Sequence, residues 1–126
     1  MGSGQVQLHF HGEDVHRRDG NAYVSLVHLS EFQARIKATY AERDSRRGVT
    51  SAVAWLTEEL GELAQAARKG TPDEQRHEVG DVLAWLASLA TQLGVDLEDA
   101  AARYAVGCPV CGRMPCGCAE GRTLSG

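Results

Sequence analysis

From Leu29 onward the apolar residues recur every three or four positions, the period of a helix with one buried face. Leu29, Phe32, Ile36 and Tyr40 mark the buried side of a first helix, with Ser30 as its cap and Gln33 at the capping-box distance. Asp44–Gly48 (Asp-Ser-Arg-Arg-Gly) breaks that rhythm and is expected to be a loop. A longer helix is predicted over about Thr50–Lys69, with Val53, Leu56, Leu60, Leu63 and Ala67 as its apolar stripe and Gly70 ending it in the left-handed conformation. Thr71-Pro72-Asp73-Glu74 then supplies an N-cap, a proline at the first helical position and the glutamate of a capping box. The helix it opens should reach Leu93, with Val79, Val82, Leu83, Leu86, Leu89, Ala90 and Leu93 on one side and Gly94 as the stop. Asp96 caps a last short helix over about Leu97–Tyr104. The link between the two long helices is very short, and short links make antiparallel neighbours.

Before Leu29 the rhythm changes. Gln5–Phe10 alternates apolar and polar residues, Gly12–Asn21 is charged and turn-like, and Ala22–Leu29 suggests a second strand, so a small β-hairpin is expected there. His9, His11 and His16 fall in this region and are read as solvent-facing side chains rather than metal ligands. The organisation expected is an N-terminal extension (1–28), a helical domain (29–106) and a cysteine-rich tail (107–126). The fold class is all-α: a hairpin of two long antiparallel helices with shorter flanking helices. One copy covers such stripes only in part, so a homodimer or homotetramer of four-helix-bundle type is expected.

Two acidic pairs sit inside the long helices, Glu59 with Glu62 and Glu78 with Asp81. Residues three apart share a helix face. At about 100° per residue both pairs lie on the flank of their stripe, whereas Glu58 falls on the solvent side. An antiparallel hairpin brings the four carboxylates together, and they cannot all ionise at close range without a cation. A hard divalent ion bound through oxygen is the expected occupant.

Trp55–Ala64 (Trp-Leu-Thr-Glu-Glu-Leu-Gly-Glu-Leu-Ala) followed by His77–Leu86 (His-Glu-Val-Gly-Asp-Val-Leu-Ala-Trp-Leu) resembles the MazG-like, all-α nucleoside triphosphate pyrophosphohydrolases over about Leu29–Tyr104. Their signature is an E-x-x-E pair and an E-x-x-D pair on adjacent helices. The resemblance implies Mg2+ or Mn2+ at Glu59, Glu62, Glu78 and Asp81, and cleavage of the α–β phosphoanhydride of a nucleoside triphosphate. It also implies phosphate contacts by Lys69 or Arg103. Trp55 and Trp85, one turn from the acids, offer stacking faces for a base or simply finish the core. Arg43, Arg46 and Arg47 would meet triphosphate oxygens if their loop folds over the acids, and otherwise belong to a solvated connector. Two other functions remain open: a phosphoribosyl-ATP pyrophosphohydrolase, which shares an acidic helical site, and a non-catalytic helical adaptor.

A chain of 126 residues is one domain by length, and 43% hydrophobic with 24% charged residues is ordinary for a globular protein. A net charge of −4 invites neither nucleic acid nor an anionic membrane surface. With no apolar run long enough to span a bilayer and no signal-peptide pattern at the start, a cytoplasmic protein is expected. All the cysteines, Cys108, Cys111, Cys116 and Cys118, lie in one C-x2-C-x4-C-x-C stretch among glycines and prolines. That pattern suits a structural zinc ion held by four thiolates.

Overall fold

The computed structural model describes residues 28–120, and for two short strands the backbone alone. Those strands, β1 (Val15–Arg18) and β2 (Asn21–Val24), pair antiparallel with Val15 opposite Val24. β1 lies within the stretch expected to be turn-like. The strand expected at Gln5–Phe10 falls outside the described residues. Among the described residues all other regular structure is helical: α1 (Leu29–Lys69), α2 (Pro72–Gln92), α3 (Leu97–Ala101) and a 3-10 turn, Ala102–Tyr104. No described helix is long and apolar enough to cross a membrane.

The loop expected at Asp44–Gly48 is not one. α1 stays helical to Arg47 and breaks only at Gly48, whose φ of 81° no L-residue adopts comfortably. The polar residues before the break are held in helix for physical reasons. Arg46 pairs with Glu42 one turn back at 3.1 Å. Asp44, 5% exposed, is buried against α2, where its carboxylate accepts a hydrogen bond from the Ser88 hydroxyl. The kink lets the arm over 29–47 pack on one side of α2 while the arm over 49–69 runs antiparallel along another.

Helix ends follow local chemistry, with two corrections. The capping box of α2 is formed, Thr71 Oγ1 accepting from Glu74 N and Glu74 Oε2 accepting from Thr71 N. Asp96 caps α3 through Asp99 N. Ser30, however, is not the cap of α1; His28 is, without a side-chain bond. Gln33 instead ties α3 down, donating to Val95 O and accepting from Leu97 N, both at 2.8 Å. Gly70 is extended rather than left-handed (φ −85°), and is needed because a Cβ there would lie 2.7 Å from Ala66 O.

The faces of the long helices also differ from the expected stripes. Ile36, Ala84 and Ala87 form the buried centre, with Phe32, Tyr40 and Leu97 against it, and Ala52, Ala66 and Ala90 are buried as well. The large aliphatics point elsewhere: Val53 is 45% exposed, Leu60 49% and Val79 53%, and Leu83 and Leu86 are open too. Alanine at the seam lets the helix axes approach closely, and the bulkier residues are turned away from it.

Adding volume at the seam should therefore cost stability. Ala87→Leu is expected to destabilise by about 1–3 kcal/mol through overpacking, and Ala38→Leu on the exposed side by less than about 0.5 kcal/mol. Urea denaturation of the two variants checks this, and equal losses would place the seam elsewhere.

Candidate active site

The seam that excludes leucine admits acids. Ala52, Glu59 and Ala66 are spaced seven apart on α1, so the carboxylate of Glu59 occupies the same close-approach face as two buried alanines. Across from it α2 presents Glu78 and Asp81. Carboxylate oxygens of Glu59, Glu78 and Asp81 all lie within 4.8 Å of one another, each residue half-buried. Glu62 stands beside them, more exposed, close enough for its charge to bear on Glu78. Glu58 is exposed and takes no part in the cluster.

Electrostatic strain is concentrated on Glu59. Its carboxyl is pushed up to about 7, first by burial and then by the charges of Glu62, Asp81 and Glu78, while the nearby Trp85 side chain opposes the shift. Burial, then Glu62, also raises Glu78. Burial raises Asp81, with His77 opposing from one turn back, its Nε2 3.2 Å from Asp81 Oδ2. Oxygens Oε2 of Glu59 and of Glu78 are buried without a hydrogen-bond partner. An orphaned pair of carboxylate oxygens beside a third acid is what an oxygen-seeking divalent cation would satisfy, so the residues fit Mg2+ or Mn2+.

Around this cluster the other expected residues divide. Lys69 shares with Glu62 and Glu78 an open cleft of about 410 Å³ at the α1–α2 turn. Trp55 and Trp85 stack on each other, centroids 5.7 Å apart and planes 8° from parallel. Trp85 is only 6% exposed and has the Arg47 guanidinium 5.8 Å from its ring centroid, leaving Trp55 the more accessible face. Arg103 lies over the Tyr104 ring, just after α3.

Four further side chains belong to the surroundings of the acids. His77 precedes Asp81 by four positions, a helical spacing visible in the chain. Tyr40, counted as core, is near enough to Asp81 and Asp44 to feel their charge, though burial is the larger cause of its raised pKa. Asp44 and Ser88 meet only because of the kink, and no local pattern announces that.

In the tail, the Sγ atoms of Cys108, Cys111, Cys116 and Cys118 also lie within 4.8 Å of one another. Cys111 is pulled down to about 6, chiefly by the backbone N–H of Gly117, and Cys118 is pushed up to about 12, chiefly by the Cys116 thiol.

Residues 47–105 match the family model described as the MazG nucleotide pyrophosphohydrolase domain. The matched stretch contains both acidic pairs, both tryptophans, Lys69 and Arg103, and ends before the cysteines. No curated protein matches the chain.

The raised carboxyl gives a pH dependence with a definite sign. Because Glu59 holds its proton more tightly folded than unfolded, its effect is to make the metal-free protein lose stability as pH rises from about 4.5 to about 7. In EDTA the melting temperature should therefore fall between about pH 5 and about pH 8, by less in Glu59→Gln, and Mg2+ should recover most of the loss. A melting curve indifferent to pH and Mg2+ would contradict this account.

Proposed function

With a MazG-type domain at residues 47–105 as premise, we propose that this chain is a divalent-metal-dependent nucleoside triphosphate pyrophosphohydrolase. It cleaves the α–β phosphoanhydride of a canonical or non-standard (deoxy)nucleoside triphosphate, giving a monophosphate and pyrophosphate. The observation that carries this is the convergence of Glu59, Glu78 and Asp81, with two buried oxygens left without a partner.

Glu59, Glu62, Glu78 and Asp81 are the residues that would hold Mg2+ or Mn2+. Bound there, the ion supplies charge neutralisation for the polyphosphate and lowers the pKa of a coordinated water. The chain's own groups do the rest. Carboxylates repel a triphosphate, so the acids hold it only through the cation and give it no direct purchase. Lys69 stands where the cleft leads away from Glu62 and Glu78, and can neutralise phosphate oxygens there. His77 holds the Asp81 carboxylate in one orientation. Trp55 offers its outer face to the base.

The leucine-rich faces support self-association. Val53, Leu60, Val79, Leu83 and Leu86 are exposed on the two helices that build the site. A homodimer or homotetramer would bury them and close the site further from water. The partners are then the nucleotide and further copies of this chain, in a cytoplasmic setting.

Pyrophosphate release from a nucleotide panel that includes phosphoribosyl-ATP, with Mg2+ and with excess EDTA, tests the reading. Turnover should vanish in EDTA and return with Mg2+ or Mn2+; full activity in the chelator, or none on any nucleotide with metal, would overturn it. Among variants, Glu59→Ala, Glu62→Ala, Glu78→Ala and Asp81→Ala should each lose about 100-fold or more in kcat/KM, about 2.7 kcal/mol of transition-state stabilisation. Glu58→Ala should lose less than about threefold. Light scattering at micromolar concentration should return a dimer or tetramer, and a stable monomer would count against the proposed packing.

A further inference from the structure

The second cluster of ligating side chains lies outside the matched domain. Beyond the 3-10 turn the backbone folds back at Gly107–Arg113, with Cys108 N donating to Arg113 O at 3.0 Å and Gly112 N donating to Cys108 O at 2.7 Å. Gly112 takes a φ of 69°, and a Cβ at Gly107 would come within 2.8 Å of Arg113 O, so both positions need glycine. This turn delivers Cys108 and Cys111, and the return through Pro115 delivers Cys116 and Cys118.

Sulfur spacing separates the uses of such a cluster. Zinc binds thiolate at about 2.3 Å, so the edge of a ZnS4 tetrahedron is about 3.8 Å. A disulfide needs about 2.05 Å. Cys108 Sγ lies 3.8 Å from Cys118 Sγ, and Cys111 Sγ lies 3.8 Å from Cys116 Sγ, with all four atoms inside 4.8 Å. Two backbone amides point at sulfur as well, Gly117 N at Cys111 Sγ (3.3 Å) and Cys118 N at Cys116 Sγ (3.4 Å). Amide donors aimed at sulfur favour thiolate over thiol.

Four thiolates around Zn2+ leave a net charge of −2, which calls for a nearby cation. Arg113 supplies one from inside the same turn. Its side chain lies across Gly117, where a Cβ would fall 2.9 Å from both Cδ and Nη1, and Gly117 stands between Cys116 and Cys118.

We propose that Cys108, Cys111, Cys116 and Cys118 form a closed tetrathiolate zinc site, with Arg113, seated on Gly117, as its charge-compensating neighbour. Four protein ligands leave no open position, so the ion is structural and orders residues 107–118. It stands whether or not the acidic cluster hydrolyses a nucleotide, because the two sites share no residue and differ in ligand softness.

Full-length protein purified under reducing conditions should carry one zinc per chain. Replacing zinc by Co2+ should give the thiolate-to-cobalt charge-transfer bands and visible d–d spectrum of tetrahedral cobalt. Each single Cys→Ser variant should lower zinc retention, while circular dichroism stays helical and pyrophosphate release is kept. Arg113→Ala should release zinc to a chelator at least about tenfold more readily, and Arg113→Lys by less. Zinc that survives all four cysteine substitutions would sit on the carboxylates and overturn the proposal. So would reduced protein without zinc or a tetrahedral cobalt spectrum, or cysteines found as disulfides in protein kept under reductant. Unchanged retention in Arg113→Ala would remove the arginine from the site.

Discussion

Everything near the α1–α2 seam follows from holding several carboxylates between two helices with no strong protein cation among them. Glu59, Glu78 and Asp81 are close enough for their oxygens to share one ligand. The nearest basic group in contact is His77, a weak and half-exposed partner for Asp81 alone. A fold that only needed stability would replace such a cluster with aliphatic side chains, since uncompensated buried charge is destabilising. On the proposed reading, a divalent cation bound at the seam would offset that cost.

That same requirement explains why alanine lines the close-packed face. Carboxylates on facing helices share an ion only if the axes come close, and Ala52, Ala66, Ala84, Ala87 and Ala90 are buried where this is needed. The aliphatic residues that would ordinarily form the core are displaced to the outer faces, where Leu60 and Val79 are about half exposed. On the proposed reading, metal binding and self-association would be two consequences of one packing choice: a seam narrow enough for an ion leaves aliphatic side chains exposed on the outer faces.

Most of this architecture was legible where one local rule decided it. The Thr71–Glu74 capping box set the start of α2, and three-residue spacing put the acids of each pair on a shared face. The sequence misled where a residue type carried two meanings. Asp-Ser-Arg-Arg-Gly has loop composition, yet Asp44 is a buried partner of Ser88 and only Gly48 breaks the helix. Val53, Leu60 and Val79 have the spacing of a core stripe, and periodicity cannot say which of two faces meets its own chain and which awaits another. Gln33 sat at the right distance for a cap on α1 but spends both ends of its amide on the segment entering α3. Each miss concerns a long-range contact, which local pattern does not contain.

The two metal-ligating clusters also bear on each other. Zinc binds most mixed-donor sites more tightly than magnesium, so an all-carboxylate cluster depends on availability and on oxygen hardness to keep its ion. The four-thiolate site proposed on the same chain would take the soft ion with far higher affinity and offer it no exit into chemistry. The donors are kept apart in sequence: oxygens on the long helices, sulfurs beyond Gly107, with α3 between. Gln33 fixes that spacer by bonding the segment that leads into α3. The sulfurs and the acids therefore form separate groups, and on the proposed readings neither donor set would enter the other's coordination shell.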